Sequence, residues 1–189
     1  MTKAAISKLS DQQLVSKVLQ KQTEFFEQIV NRYQQKLYFY TLRYVADPDK
    51  AEDVVQESFI KMYINLQSYD HSKSFSPWAY RIVHNEAVNF IKKNSQYVIV
   101  DSNWLENMPD ETTNLEHDLD IKLVSREVQK SVYALPIKYR EIVILYYFEN
   151  QDYERISDIL HIPVSTVGTR IRRAKSKLKK QLSVSKVTS

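Results

Sequence analysis

Apolar residues recur at helical spacing along most of this chain, and the interruptions mark where each helix should stop. Ser10 followed by Gln13 spells a capping box for a short first helix. Phe26, Val30, Tyr33, Leu37, Tyr40 and Tyr44 then recur at steps of three or four, predicting one apolar face on a helix over residues 23–45. Asp47-Pro48 reads as a restart, with aspartate at the cap and proline at the first helical position. The next helix should run to about Leu66, with Val55, Phe59, Met62 and Leu66 on one side and Asp53, Gln56, Glu57 and Lys61 on the other. After a polar loop over 67–76, Ser76-Pro77 should open a helix ending near Asn94. Ala79, Val83, Ala87 and Phe90 would face inward, and Arg81, Asn85, Asn89, Lys92 and Lys93 outward. From Ser95 to about Asp120 the helical period fades; it resumes near Ile121, and Leu135-Pro136 breaks it before another helix over 136–148.

The last quarter of the chain carries the sharpest pattern. Asp152 is placed to cap a short helix with Tyr153, Ile156, Ile159 and Leu160 on its buried face. His161-Ile162-Pro163 then breaks the period, because proline disfavours helical geometry in the residue before it. His161 should adopt the left-handed conformation there, which histidine visits more readily than most residues. Ser165 is placed to cap a second helix whose Val167, Ile171, Ala174 and Leu178 face inward. Thr166, Arg170, Arg173 and Lys177 step the same way and are expected on the opposite side. Two short helices around a tight turn, the second loaded with cations, form a helix-turn-helix suited to a DNA major groove. No acid occurs from Val164 to Ser189, so the positive charge is uncompensated, as phosphate binding requires.

Composition narrows the fold to all-α. The chain of 189 residues has a single glycine, Gly168, whereas sheets and hairpins draw on glycine at their turns. Hydrophobic residues make up 43%, enough for cores, and the 26% charged residues suit a soluble surface. The net charge of +4 is unevenly spread: acids crowd between Asp101 and Asp120 with no lysine or arginine among them. This implies two small helical domains, residues 1–95 and 122–189, joined by an acidic linker over 96–121. The absence of cysteine removes thiolate metal sites and disulfides and fits a reducing compartment. No apolar run reaches the roughly 20 residues that span a bilayer. A cytoplasmic protein without membrane insertion is expected. The four histidines are scattered and one glycine cannot build a phosphate loop, so neither enzyme activity, nor a metal, nor a cofactor is expected.

The stretches Asp53-Val-Val-Gln-Glu-Ser-Phe-Ile-Lys-Met-Tyr, Phe75-Ser-Pro-Trp-Ala-Tyr-Arg-Ile-Val-His-Asn and Leu135-Pro-Ile-Lys-Tyr-Arg-Glu-Ile-Val-Ile-Leu-Tyr-Tyr-Phe, in that order before the helix-turn-helix, resemble the extracytoplasmic-function (group IV) sigma factors of the sigma-70 family. The resemblance spans about Thr23 to Leu182. It implies a promoter-recognition subunit that directs core RNA polymerase to specific promoters and initiates transcription. Its partners would be bacterial RNA polymerase core, promoter DNA and an anti-sigma factor, with the free protein a monomer. By that resemblance Asp53, Gln56, Glu57 and Phe59 bind polymerase, although Phe59 reads first as core, with a lesser role at the rim of the contact. Trp78, Tyr80, Arg81, Asn85, Asn89, Lys92 and Lys93 would melt and read the minus-ten element, although Trp78 also reads as core. Two asparagines four apart on an exposed helix face are costly, and their amides can pair with base edges. Ser165, Thr166, Thr169, Arg170, Arg173 and Lys177 would contact the minus-thirty-five element. Arg155 and Ser157 stand where the family usually has glutamate and alanine, and His161 where it usually has glycine. A stand-alone helix-turn-helix regulator, which needs only the last 60 or so residues, is the alternative.

Overall fold

The computed structural model describes residues 6, 8–93, 128 and 130–185. The described residues form helices and turns with no strand, and they divide into two compact units, one gathered from the N-terminal helices and one from the C-terminal ones. The acidic stretch over 96–121 and the domain boundaries drawn at its ends lie outside the described residues, as does the helical restart near Ile121.

In the first unit, α1 (Asp11–Leu19) opens on a complete capping box: Ser10 accepts the Gln13 amide, and the Gln13 side chain accepts the Ser10 amide. A 3₁₀ turn (Thr23–Phe25) leads into α2 (Phe26–Val45). Asp47 then accepts the Lys50 amide and Pro48 occupies the first position of α3 (Pro48–Ile64). A second 3₁₀ turn (Leu66–Ser68) and a polar loop precede α4 (Phe75–Lys93). Helices α2, α3 and α4 pack on one another, and α1 lies against α2. Their core is aliphatic and aromatic: Leu37, Tyr40, Tyr44, Met62 and Val83 are all 0% exposed. Each such side chain contributes about 1.5–3 kcal/mol by leaving water.

Three expectations need correction here. The core face of α2 uses Ile29, whereas Phe26 and Val30 are only half-buried; the Phe26 ring instead meets Phe59 and Tyr63 edge-on, with centroids 6.5 and 5.1 Å apart. Helix α4 starts at Phe75, so Ser76 and Pro77 lie within its first turn. Proline is tolerated there because first-turn amides have no intrahelical acceptor to lose. Phe75 itself is 1% exposed, and its burial draws the helix start inward by one residue. Phe90 is half-buried, not fully inward.

The second unit has α5 (Ile137–Val143), which widens into a π-helical turn (Ile144–Phe148) closed by the Glu149 amide on the Ile144 carbonyl at 3.0 Å. Helix α6 (Tyr153–Leu160) follows, and then α7 (Val164–Ser185). Helices α5 and α7 pack together around Ile142, Leu145, Val167 and Ala174, each 0% exposed. Asp152 caps α6 by accepting the Arg155 amide at 2.8 Å, and His161 closes it in the left-handed region at φ 54°, ψ 48°. Ser165 does not cap α7. The helix begins one residue earlier, and the Pro163 carbonyl accepts the amides of Thr166 and Val167 at 2.8 and 3.2 Å. Tyr153, Leu160 and Leu178 are half-buried where full burial was expected.

Candidate polymerase and nucleic-acid interfaces

Helix α3 is held by Ala51, Val54, Val55, Ser58, Phe59 and Met62, all buried, which turns Asp53, Gln56 and Glu57 out to solvent. The face is pre-ordered along its length. Lys50 reaches Asp53 at 3.5 Å, Gln56 donates to Glu52 at 3.3 Å, and Lys61 bridges Glu57 at 3.5 Å and Glu86 of α4 at 2.6 Å. These exposed pairs stabilise little on their own, but they hold carboxylates in one register. Such carboxylates suit a cationic partner helix, because charge-assisted hydrogen bonds fix orientation. Phe59 is 8% exposed, so its ring belongs mainly to the core. It forms part of the wall of a groove of about 540 Å³ between α2 and α3, lined also by Gln34, Tyr38, Glu52 and Gln56.

The same stripe carries residues that sequence reasoning missed. Ile60, Tyr63 and Ile64 are 54%, 44% and 69% exposed. Ile60 lies seven residues after Asp53 and Ile64 seven after Glu57, two helical turns along one face. The acidic face therefore continues into an apolar end. That heptad spacing was the available signal, hidden because an apolar residue is first read as core.

On α4, Ala79, Val83 and Ala87 are 0% exposed and anchor one side. Asn85, Asn89, Lys92 and Lys93 are exposed on the other, with Trp78 and Arg81 half-buried on the same stripe. Tyr80 does not belong with them. It is 3% exposed, its ring edge-on to Tyr40 with centroids 5.1 Å apart, so the ring is committed to the core. Tyr80 follows Ala79 by one position, only 100° round the helix, and its ring reaches into the core. Trp78 leans on Tyr69 and Phe75 with centroids 5.6 and 5.4 Å apart. Tyr69 is buried and donates its hydroxyl to the Lys73 carbonyl, while Asp70 accepts the Ser72 amide and hydroxyl at 2.9 and 2.7 Å. Those two Ser72 bonds hold the Asp70 carboxyl below its usual range. The loop before α4 is thus an ordered wall of aromatic rings beside an amide-bearing stripe, a surface able to stack and hydrogen-bond an unpaired base.

Beneath this stripe, His84 is 7% exposed and joined by a 3.0 Å hydrogen bond between its Nδ1 and the Tyr40 hydroxyl. Burial pushes its pKa down to about 4, so the imidazole is neutral and structural at pH 7.

In the helix-turn-helix, Ser157 donates to the Ile162 carbonyl at 2.6 Å, and the Ile162 amide returns to the Ser157 carbonyl at 3.2 Å. The serine that departs from the usual alanine therefore pins the turn. Arg155 is exposed and paired with its own cap residue, Asp152, at 3.6 Å. On α7, Ser165, Arg173 and Lys177 are exposed, and Thr166 and Thr169 half-buried, Thr169 donating to the Ser165 carbonyl at 3.0 Å.

Arg170 corrects the sequence reading. Its guanidinium is bound to Glu141 of α5 at 2.9 Å, with the two side chains only 26% and 12% exposed. The expected opposite face was misplaced because one residue is a rotation of 100°. A stripe one position behind Val167, Ile171 and Ala174 flanks the core instead of opposing it. The positions that do oppose it include Ser165, Thr169, Arg172 and Ser176, and of these Arg172 and Ser176 are outside the predicted site.

With the geometry in place, comparisons with known proteins agree closely. The Sigma-70 region 2 model matches residues 29–97, and the Sigma-70 region 4 model matches residues 125–178. The chain is 34% identical over 167 residues to the ECF RNA polymerase sigma factor SigW of Bacillus subtilis, covering 83% of this chain and 88% of that one. It is 33% identical over 183 residues to the ECF RNA polymerase sigma-E factor of Haemophilus influenzae, covering 92% and 96%. In fold it is similar to CnrH, solved in complex with the cytosolic domain of CnrY, with a TM-score of 0.71 at 21% identity over 92% of this chain and 97% of that one. It is also similar to the sigma factor RpoE of Bartonella quintana, solved with the anti-sigma factor NepR, with a TM-score of 0.62 at 22% identity over 84% and 97%. The class is that of a sigma-70 factor with regions 2 and 4. Within it, the chain belongs to the ECF RNA polymerase sigma factors, promoter-specificity subunits of RNA polymerase. A stand-alone helix-turn-helix regulator is not favoured, because region 2 accounts for the first unit. Among the described residues no helix is long and apolar enough to cross a membrane.

Proposed function

We propose that the two units divide the work of promoter opening. The first unit docks on core RNA polymerase through Asp53, Gln56 and Glu57 of α3, with Ile60, Tyr63 and Ile64 extending the contact. Its α4 stripe, Trp78, Arg81, Asn85, Asn89, Lys92 and Lys93, receives the minus-ten element as it opens. The amides address a base edge and the cations hold backbone phosphates. The second unit docks α7 in the major groove of the minus-thirty-five element. Residues 1–95 and 122–189 bound the two units, and the acidic residues 96–121 tether them. The protein acts in the cytoplasm without catalytic activity of its own, as a monomer when free, and an anti-sigma factor masks one or both faces.

The observation that carries this reading is the coexistence, within one bundle, of an exposed acidic stripe on α3 and an exposed asparagine-lysine stripe on α4. Two faces of opposite chemistry suit one protein partner and one nucleic-acid partner. Run-off transcription with purified core polymerase on a promoter library tests it. The chain should convert core polymerase to promoter-dependent initiation, and no transcript from any template would refute it.

A further inference from the structure

The C-terminal half of α7 borders a cleft of about 610 Å³ within the second unit. Val132, Val143, Phe148, Leu178 and Leu182 line it, so its walls are largely apolar. Phe148, Leu178 and Leu182 are only half-buried, and Tyr147 beside them is 43% exposed. The π-helical turn contributes to this opening, because its extra residue per turn re-aims Tyr147 and Phe148. Lys175 and Lys179 also line the cleft and are exposed, the Lys175 ammonium standing over the Tyr147 ring, 5.6 Å from its centroid. Among the described residues neither lysine makes an ion pair. An apolar cleft with a cationic rim suits an occupant that carries apolar anchors and carboxylates together. The chain itself contains such a segment. Residues 101–111 set Trp104, Leu105 and Met108 among Asp101, Glu106, Asp110 and Glu111, with no lysine or arginine. A tether that serves only as a solvated spacer gains nothing from a tryptophan, whose burial removes roughly 150–250 Å² from water. Met108 precedes Val128, itself in the cleft wall, by 20 residues, and an extended chain of that length spans up to ~65 Å. The entropy of closing such a loop grows only slowly with its length, and the tether holds the segment at an effective concentration on the order of millimolar.

We propose that residues 104–111 dock on this cleft of their own chain, with Trp104, Leu105 and Met108 against its apolar walls and Glu106, Asp110 and Glu111 against Lys175 and Lys179. The contact is autoinhibitory. Any partner that uses the cleft must first displace the segment, and until it leaves the acids offset two of the cations of α7. The contact needs neither polymerase nor promoter, so it stands or falls apart from the proposed function.

The test uses the full chain in a Trp78→Phe background, where Trp104 is the sole tryptophan. Its fluorescence should be blue-shifted in the free protein and unchanged on dilution. Leu182→Asp, or Lys175→Glu combined with Lys179→Glu, should move the emission to that of indole in water. Adding Glu106→Lys and Asp110→Lys to the lysine pair should restore the blue shift. The chain has no cysteine, so a second measurement can leave every charge in place. Under mild oxidation, Met108→Cys with Leu182→Cys should form an intramolecular disulfide about tenfold faster than Met108→Cys with Ser165→Cys, a position ~25 Å back along α7. Where a cleft variant loses helical circular dichroism, the disulfide rates decide. Water-like emission with the cleft intact, or emission unmoved by the cleft variants, would overturn the inference, as would failure of the charge swap to restore the shift. Equal disulfide rates would overturn it too, and so would disulfides formed only between chains, which would mark a second copy as the occupant.

Discussion

Helices α4 and α7 both present polar stripes, but they are embedded to different depths. In α4, Phe75, Pro77, Ala79, Tyr80, Val83, His84 and Ala87 are buried, leaving a narrow strip free. Among the described side chains of α7 the buried ones are Val167, Ile171 and Ala174, so most of the circumference is open. The chemistry differs as well: α4 sets asparagine amides and an aromatic wall beside its cations, whereas α7 sets hydroxyls beside its cations. A platform that must hold a base out of its stack gains from rigidity. A helix that must enter a groove gains from protrusion, and its neighbours can grip only its base.

That contrast should appear first in stability. Leu37 is 0% exposed in the core that supports α4, and Leu37→Ala should cost about 3 kcal/mol or more from lost burial and the cavity left behind. Leu178 is half-buried on α7, and Leu178→Ala should cost about 1 kcal/mol, since much of its surface already meets water. Urea denaturation of both variants measures the gap; equal losses would erase the difference in depth.

The next effect comes from His84 beneath α4. Its pKa is about 4 in the fold against 6.5 for a free histidine. Above pH 6.5 the ring is neutral in both states and contributes no difference. As pH falls from 6.5 toward 4, the unfolded chain takes up the proton first, so stability is lost over that window, by about 3 kcal/mol in total. His84→Asn should flatten this part of the stability profile, as read by urea denaturation at pH 7.0, 5.5 and 4.5. The helix-turn-helix has no buried histidine among its described residues to match it, and NMR titration of His84 with a normal pKa would remove the asymmetry.

A smaller effect concerns the caps. Asp152→Ala removes the acceptor for the Arg155 amide and should cost about 1 kcal/mol. Because α6 is short and precedes α7 in the helix-turn-helix, this loss should loosen the groove-binding unit. Ser10→Ala, at the far end of the first unit, should cost a similar amount without touching minus-thirty-five affinity. Equal affinities for both variants in a gel-shift titration with holoenzyme would deny α6 that role.

How much of this was legible beforehand follows from the physics of each signal. Ser10, Asp47, Asp152 and the left-handed His161 were readable because caps depend on one or two neighbouring residues. Ala46, left-handed at φ 57°, was not readable, because alanine carries no preference for that region and adopts it here to let Asp47-Pro48 restart the chain. The stripe of α4 was placed well because seven buried positions define its axis, and only Tyr80 was misassigned. On α7 few buried positions define the axis, and an error of one residue turned a flanking stripe into an apparent outward face. The Arg170 pairing depends on Glu141, 29 positions away, which no local pattern contains.

The smallest predicted effect separates charge from recognition on α7. Lys180 is exposed on the outward side, two turns beyond Arg172, with no ion pair among the described residues. Its ammonium is a point charge without the planar fork that lets arginine distinguish a base, so it should act on phosphate alone. Neutralising one phosphate releases about 0.9 of a counterion, and Lys180→Ala should therefore reduce the log–log salt slope of promoter binding by about 0.9. Affinity should fall by the same factor on every promoter sequence, with selectivity unchanged. Filter binding of holoenzyme to a strong and a mutated minus-thirty-five site across a salt series reads both quantities. A sequence-dependent loss would place Lys180 in the base-reading set and extend that face a full two turns beyond Arg172. An unchanged slope would instead confine the groove contact to the first half of α7, where Ser165, Thr169, Arg172 and Arg173 lie.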